Sequence, residues 1–387
     1  MAINAKLIVA GTEKDSDMFY ATRFHAPDRF TLLMLGQRKI AITGDLEFER
    51  MKKESTIDEI VLAAELAKDP RYPSSGHFGP TNPFTVLQLL RNNGVEVAEV
   101  PADFPASLAY FLMANGIVIR PREWSGVESA FFPEREVKDQ KEVSYIEATQ
   151  GILEEVFLMA REEIKHARVR HDGVLVRPDG EVLTVEFLRG MMKAEFARKD
   201  CDSKFLIIAV GDQAVDPHGS GYGPLKARTW MVMDIFPRGS MQYWADMTRT
   251  VSKLDPGEER KKLYQTVLKW QRHGILRIKE GVDGFDIHAE IEEGFRVEGY
   301  ETGEINGVRQ GFLHGTGHGV GLDIHEPPRL TKIRGQILKA GHVVTVEPGL
   351  YYKGLGCVRI EDMVLVTKEG CSDFTRMPEE LDWAIIS

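Results

Sequence analysis

Apolar and polar residues follow two rhythms along this chain. In the first third, LIVAG, RFTLLML and KIAITG are apolar runs of strand length, and VEVAEV at 95–100 alternates as a half-buried strand does. STIDEIVLAAELAK, from Ser55 to Lys68, has apolar residues at helical spacing behind a serine suited to an N-cap, and predicts a helix. Together these predict a small α/β domain. From Pro121 to Val143 the pattern changes to prolines and dense charge, PREWSGVESAFFPEREVKDQKEV. A long helical period then runs from about Lys141 to Arg168, and a second helix is expected over Val185 to Arg198. The boundary is expected within 130–138, giving domains 1–133 and 134–387. Beyond 205 the strand-like runs are FLIIAVG, TWMVMDIF, YWADMTRTVS, HVVTVEPGLYY and CVRIEDMVLVT, with helices over Glu258 to Lys279 and Phe285 to Glu298. Clustered strands with helices between and around them predict an α+β domain, an antiparallel sheet covered on one face.

Composition narrows the class. The 387 residues are 43% apolar and 28% charged, which excludes a disordered chain, a fibre and a disulfide-stapled mini-protein. Lys plus Arg is 49 against 59 Asp plus Glu, a formal charge of −10, and this argues against nonspecific nucleic-acid binding. Three cysteines without a CxxC fit a reduced compartment. The N-terminal apolar run is too short for a signal peptide, and the longest apolar stretches, such as Phe205 to Val210, are strand-length. The expectation is a soluble cytoplasmic protein with no membrane or nucleic-acid partner.

Candidate chemistry lies in the last third or so, where carboxylates interrupt apolar runs. Asp234 ends one run and Asp246 lies in the next, with Pro237, Arg238 and Gly239 as the turn between them. Paired strands would present both acids at one point; two aspartates capping a hairpin is the simpler alternative. Glu347 and Glu361 recur inside HVVTVEPGLYY and CVRIEDMVLV. A buried ionised carboxylate is costly unless paired or bound to a metal. A buried pair with Arg359 would account for Glu361, but not for the other three acids. FLHGTGHGVGLDIHEPP adds His314, His318 and His325 among four glycines, and it is neither HExxH nor a P-loop. Four carboxylates and one neutral imidazole carry −4, the charge of two divalent cations reversed. An oxygen-rich set with one nitrogen and no sulfur suits Mn²⁺ or a similar ion. Two such ions can share a bridging hydroxide.

HGTGHGVGLDIHEPP, VVTVEPGLY, VRIEDMVLVT and MDIFPRGSMQYWADMTRT resemble the pita-bread metallopeptidases, in the branch of Xaa-Pro aminopeptidase and prolidase. The likeness is strong over roughly 140–370, and FYATRFHAPDRFTLLML resembles the creatinase-type N-terminal domain of that branch. The resemblance implies that Asp234 chelates one metal, Asp246 and Glu361 bridge two, and His318 and Glu347 complete the other. Glu347 would also handle the proton of the attacking water. His325 is implied to bond the scissile carbonyl, His218 to be the other outer histidine, and His314 to face the prolyl side. Arg359 is implied to orient the bridging carboxylates. Eleven residues separate Asp234 from Asp246, one more than is common in the family. An insertion in the turn would preserve both orientations, whereas a register shift would turn one acid away.

The implied protein is a homodimer whose chain binds two divalent ions, Mn²⁺ first, with Co²⁺ or Zn²⁺ as alternatives. It removes an N-terminal residue preceding proline by metal-bridged hydroxide attack. The amide before proline has no N–H, and a dinuclear site needs none. Aminopeptidase and dipeptidase both stay open, because no arginine in the sequence declares itself for a C-terminal carboxylate. Other readings are a metal-dependent aminopeptidase of different specificity, a non-catalytic pita-bread binding module, and a metal-free amidinohydrolase like creatinase.

Overall fold

The short apolar runs of the first third form one sheet: β1 (Ile3–Ala10), β2 (Phe30–Leu35), β3 (Arg38–Thr43), β4 (Glu59–Leu62), β5 (Val95–Val100) and β6 (Val118–Pro121), in the order β4-β3-β2-β1-β5-β6. The computed structural model describes residues 3–68, 79–122 and 130–387. They form two compact units, Met1–Arg135 and Glu136–Ser387. In the first unit, β2 is antiparallel to β1 and β3, while the outer pairings are parallel. Side chains alternate between the faces of a strand. Leu7, Val9, Leu33 and Ile40 share a core with Val86 and Leu112, whereas Ile8, Leu32 and Ala41 pack with Met18 and Met51. The helices that supply these partners are α1 (Ser16–Thr22), α2 (Asp45–Glu54), α4 (Pro83–Asn92) and α5 (Ala106–Ala114), with the short α3 (Ala63–Leu66) between them.

The helix expected over Ser55 to Lys68 is a correction. Ser55 ends α2, its N–H bonded to the Met51 carbonyl at 3.1 Å. Glu59–Leu62 is strand β4, in parallel register with Ile40–Thr43, and only Ala63–Leu66 is helical. β-Branched Ile60 and Val61 are stiff in a helix and fit a pleated edge, and β3 offers them backbone partners.

The division between the units has a local cause. Asp17 accepts the N–H groups of Phe131 (2.9 Å) and Phe132 (3.3 Å) and pairs with Arg135 at 3.1 Å, which holds 131–135 in the first unit. Lys138 donates its N–H to Gly341 at 2.8 Å and belongs to the second. The sequence places the boundary after residue 133, and the structure divides after Arg135. Residues 123–129 of the Pro- and charge-rich stretch lie outside the described residues.

The second unit starts with α6 (Gln140–His166). Its capping box is reciprocal: Asp139 accepts the Glu142 N–H at 2.8 Å, and Glu142 accepts that of Asp139 at 3.0 Å. The small pair β7 (Arg168–Val169) and β8 (Leu175–Val176) leads to α7 (Val185–Arg198). One sheet follows from β9 (Leu206–Val210), β10 (Met231–Ile235) and β11 (Met247–Lys253). Helices α8 (Glu258–Arg277) and α9 (Gly284–Val297) precede the small hairpin β12 (Gly303–Ile305) and β13 (Val308–Gln310). The remaining strands are β14 (Gly317–Gly319), β15 (Glu326–Leu330), β16 (Val343–Val346), β17 (Gly349–Tyr352), β18 (Gly356–Arg359), β19 (Asp362–Val366) and β20 (Cys371–Asp373). The chain closes with α10 (Leu381–Ala384) and β21 (Ile385–Ile386), which lies parallel to β11, so the expected all-antiparallel pairing has one exception. Leu263 and Val267 of α8 and Ile287 and Ile291 of α9 bury Val344, Val346 and Val364 of the β16–β19 ladder. No helix among the described residues is long and apolar enough to cross a membrane.

Candidate functional site

HVVTVEPGLYY and CVRIEDMVLVT are each two strands with a break at the glutamate. β16 pairs with β19 so that Val346 faces Asp362, and β17 pairs with β18 so that Gly349 faces Arg359. Carried across the break, this register puts Glu347 opposite Glu361. At the break their N–H groups leave the ladder: Glu347 donates to the Thr316 carbonyl (2.7 Å) and Glu361 to that of Thr248 (3.1 Å). The interruption turns both acids out of strand packing and ties them to the segments carrying His318 and Asp246.

Asp234 faces Thr248 in the β10–β11 ladder, and Asp246 precedes Thr248 by two residues, which puts it on the same face. The pairing of Met231 with Val251 continues unshifted to the Gly239–Tyr243 bond at the hairpin tip. The longer Asp234–Asp246 spacing is therefore taken up at the turn, and both acids face one cavity.

His318 enters on β14, between β15 and β16. Gly317 allows this close approach, since a Cβ there would lie 1.9 Å from the Thr345 carbonyl oxygen. The His318 Nδ1 donates to the Gly319 carbonyl at 3.1 Å, which turns Nε2 toward Glu347 Oε1 (3.4 Å) and Asp246 Oδ2 (3.7 Å). Among the described residues, Asp246, His318 and Glu361 can each offer a donor atom within 4.8 Å of the others'. All nine residues singled out from the sequence line one cavity of about 390 Å³: His218, Asp234, Asp246, His314, His318, His325, Glu347, Arg359 and Glu361.

The electrostatics are those of a site short of positive charge. Burial, and then Glu361, Asp234 and Glu347, push the Asp246 carboxyl well above the ordinary range. Burial and the neighbouring Glu347 and Asp234 do the same to Glu361. Burial raises Glu347 to about 7 against the pull of Arg359. Asp246 Oδ1 is buried with no hydrogen-bond partner. Burial and His325 hold the His318 imidazole far below its usual value, hence neutral. A neutral imidazole nitrogen facing carboxylate oxygens, and an orphaned buried oxygen, are the donor set of a hard divalent cation.

Arg359 corrects one alternative. Its guanidinium pairs with Asp234, not Glu361, and it donates to Thr248 Oγ1 at 3.2 Å and to Tyr351 at 2.7 Å. Tyr351 donates onward to His314 Nε2 (2.7 Å), and His314 Nδ1 donates to the Gly315 carbonyl at 2.7 Å. Both nitrogens of His314 are engaged within the protein, so it meets the cavity as a ring surface. His218 and His325 are exposed at the cavity wall, and the His325 ring stands perpendicular to His318 with centroids 4.3 Å apart.

The sequence reading missed Thr248, Tyr351, Arg329 and the apolar wall of Ile207, Phe236, Leu313 and Ile324. Thr248 donates to Glu361 Oε2 at 2.7 Å, and its period-two spacing from Asp246 was a usable signal. Arg329 reaches the cavity because β15 pairs it with His318, a relation no local pattern carries.

Helices packed on antiparallel strands, with four acids and a histidine turned into one cavity, define a metallohydrolase of the pita-bread class. The family model for metallopeptidase family M24 matches residues 144–368, more than half of the chain, and the chain belongs to that family. It is 28% identical over 350 residues to the Xaa-Pro dipeptidase of Pyrococcus horikoshii, covering 90% of this chain and 87% of the relative. It is 31% identical over 260 residues to that of Pyrococcus furiosus, covering 67% and 69%. The fold matches the X-Pro aminopeptidase of Thermotoga maritima at a TM-score of 0.76 and 21% identity, over 97% of this chain and 96% of that one. The architecture is thus the pita-bread fold, with a smaller α/β unit ahead of it in the chain.

Proposed function

We propose that this protein is a dinuclear-metal Xaa-Pro peptidase that releases the N-terminal residue before proline. The observation that carries the reading is the convergence of Asp234, Asp246, His318, Glu347 and Glu361 on one cavity, where Asp246 Oδ1 has no partner. These five would hold two ions per chain, and the single nitrogen among oxygen donors favours Mn²⁺ over a thiolate-type zinc site. When bound, such a pair supplies a water nucleophile at neutral pH and polarises a carbonyl. The protein's own part is placement. Arg359 fixes Asp234 and Thr248, and Thr248 fixes one Glu361 oxygen. Glu347, which faces the same cavity, would take the proton of the attacking water. His325 donates to the carbonyl oxygen as it gains charge, and His218 stands at the same wall. The proline ring rests against the His314 ring and the apolar wall, which need no N–H from the substrate amide.

Between the two specificities, Arg329 on the cavity wall favours the dipeptidase: a guanidinium matches the C-terminal carboxylate that a dipeptide places one residue past the scissile bond. The test is a panel with Mn²⁺ of Xaa-Pro dipeptides, Xaa-Pro-Xaa tripeptides and an Xaa-Ala control. Cleavage of the dipeptides is expected, with about two ions per chain by elemental analysis. Arg329→Met is expected to raise KM for dipeptides roughly tenfold, the worth of one charge-assisted bond. Equal cleavage of Xaa-Ala would remove the proline reading, and preference for tripeptides would make the protein an aminopeptidase.

His325→Ala is expected to lower kcat roughly a hundred- to a thousandfold, the cost of an oxyanion donor, with both metals retained. Loss of metal in this variant would make His325 a ligand instead.

A further inference from the structure

A buried ion pair supports the segment that carries His325. Lys138 and Glu326, 188 positions apart, bond to each other with side chains 1% and 3% exposed. Lys138 also donates to the Glu136 carbonyl at 2.9 Å. The second Glu326 oxygen accepts the Asp323 N–H at 3.5 Å, within the turn leading to His325. Gly321 opens that turn, and a Cβ there would come within 2.6 and 2.8 Å of the two carboxylate oxygens. A residue without a side chain lets the turn settle on the acid. Trp244, at the hairpin tip that leads into Asp246, donates its backbone N–H to the Gly321 carbonyl (2.9 Å) and its indole N–H to that of Leu322 (3.1 Å). Trp244 thus holds the turn at its start and Glu326 holds it at its end. Lys138, Trp244 and Glu326 do not line the cavity.

A buried ion pair is weak as a source of stability, because desolvation offsets most of its attraction. It is strong as a placement device, because removing one partner strands the other. We propose that the Lys138–Glu326 pair and Trp244 are positioning residues for His325, fixing the 321–325 turn so that the ring stays beside His318. The inference rests on the peptidase reading, in which His325 meets the substrate carbonyl.

Lys138→Met keeps the aliphatic stem and removes the charge. It is expected to lower kcat on an Xaa-Pro dipeptide roughly ten- to a hundredfold, as misplacing a catalytic group does, with Mn²⁺ content unchanged. Lys138→Met combined with Glu326→Gln strands no charge and still accepts the Asp323 N–H, so most of the loss is expected to return. In a His325→Ala background, Lys138→Met is expected to change kcat less than about twofold, since the pair acts through that ring. Equal losses with and without His325, or loss of Mn²⁺ from the single variant, would overturn the proposal. If Lys138→Met does not fold, Gly321→Ala carries the same test by pressing a Cβ onto Glu326 with no charge removed. A crystal structure of the variant gives a readout independent of turnover. The His318 and His325 centroids, 4.3 Å apart here, are expected to separate, and an unmoved turn would overturn the proposal. Wild-type protein that binds Mn²⁺ but cleaves no Xaa-Pro bond would sink the peptidase reading alone, and the turn's response in the crystal would still decide this one.

Discussion

Glu361→Gln is expected to abolish dipeptide turnover, with a loss of roughly a thousandfold or more, the scale on which removing a preorganised charge acts. Glu361 is where the site's constraints meet. It stands opposite Glu347 across the broken ladder, accepts the Thr248 hydroxyl at 2.7 Å, and belongs to the group with Asp246 and His318. An amide of the same shape keeps the Thr248 bond, so the fold is retained while one negative charge is lost. Two results separate a ligand from a packing residue. Bound Mn²⁺, measured by elemental analysis after gel filtration, is expected to fall below the wild-type content. The metal-free variant is expected to melt higher than the metal-free wild type, because it lacks one of the three acids, Asp246, Glu347 and Glu361, whose carboxyls burial and neighbouring charge push up. A variant that keeps full metal content and turnover would show that Glu361 is no ligand. One that merely melts lower would show a packing role. Asp246→Asn is expected to behave alike, since its Oδ1 has no other partner to lose.

The site was more legible in the sequence than the surrounding fold, for a physical reason. An ionised side chain in an apolar run is expensive, so Asp234, Asp246, Glu347 and Glu361 advertise themselves without any knowledge of tertiary structure. Their partners do not. Arg359 lies two residues before Glu361, the spacing of a same-face pair on a continuous strand, yet the break at Ile360–Glu361 sends it to Asp234. Arg329 joins the cavity through strand pairing with His318, and Lys138 meets Glu326 across 188 positions. Such pairings are properties of topology, and a one-dimensional pattern cannot contain them. Segments 185–198 and 95–100 matched expectation because a cap or a clean alternation marks them locally. EIVLAAELAK satisfies both a helical and a strand reading, and the free edge of β3 decides between them. The strands broken at Glu347 and Glu361 read as continuous because apolar residues flank both acids, and only the bonds to Thr316 and Thr248 reveal the interruption.

The stability that metal confers is expected to grow with pH between about 6.5 and 8, and the sign follows from two opposing sets of groups. For Asp246, Glu347 and Glu361, burial raises the folded-state value above that of the unfolded chain. The native metal-free protein therefore holds more protons, and stability falls as pH rises from the unfolded carboxylate value, near 4.5, through the folded one. Glu347, raised to about 7, alone contributes a loss on the order of 3 kcal/mol by the top of that window. His314, lowered to about 3, and His318 act oppositely: their contribution is fully present above the imidazole value near 6.5 and is lost as pH falls below it. Below 6.5 the trends oppose each other; above it the histidine contribution is constant and the acids dominate. Asp373, raised to about 7 by burial and Asp362, has the same sign as the acids, but it lies outside the cavity. The difference between Mn²⁺-loaded and metal-free melting removes its contribution. Cations require the ionised carboxylates, so that difference is expected to widen by on the order of 5 °C across the window. A difference that stays level or narrows with rising pH would mean that these acids are not what binds the metal.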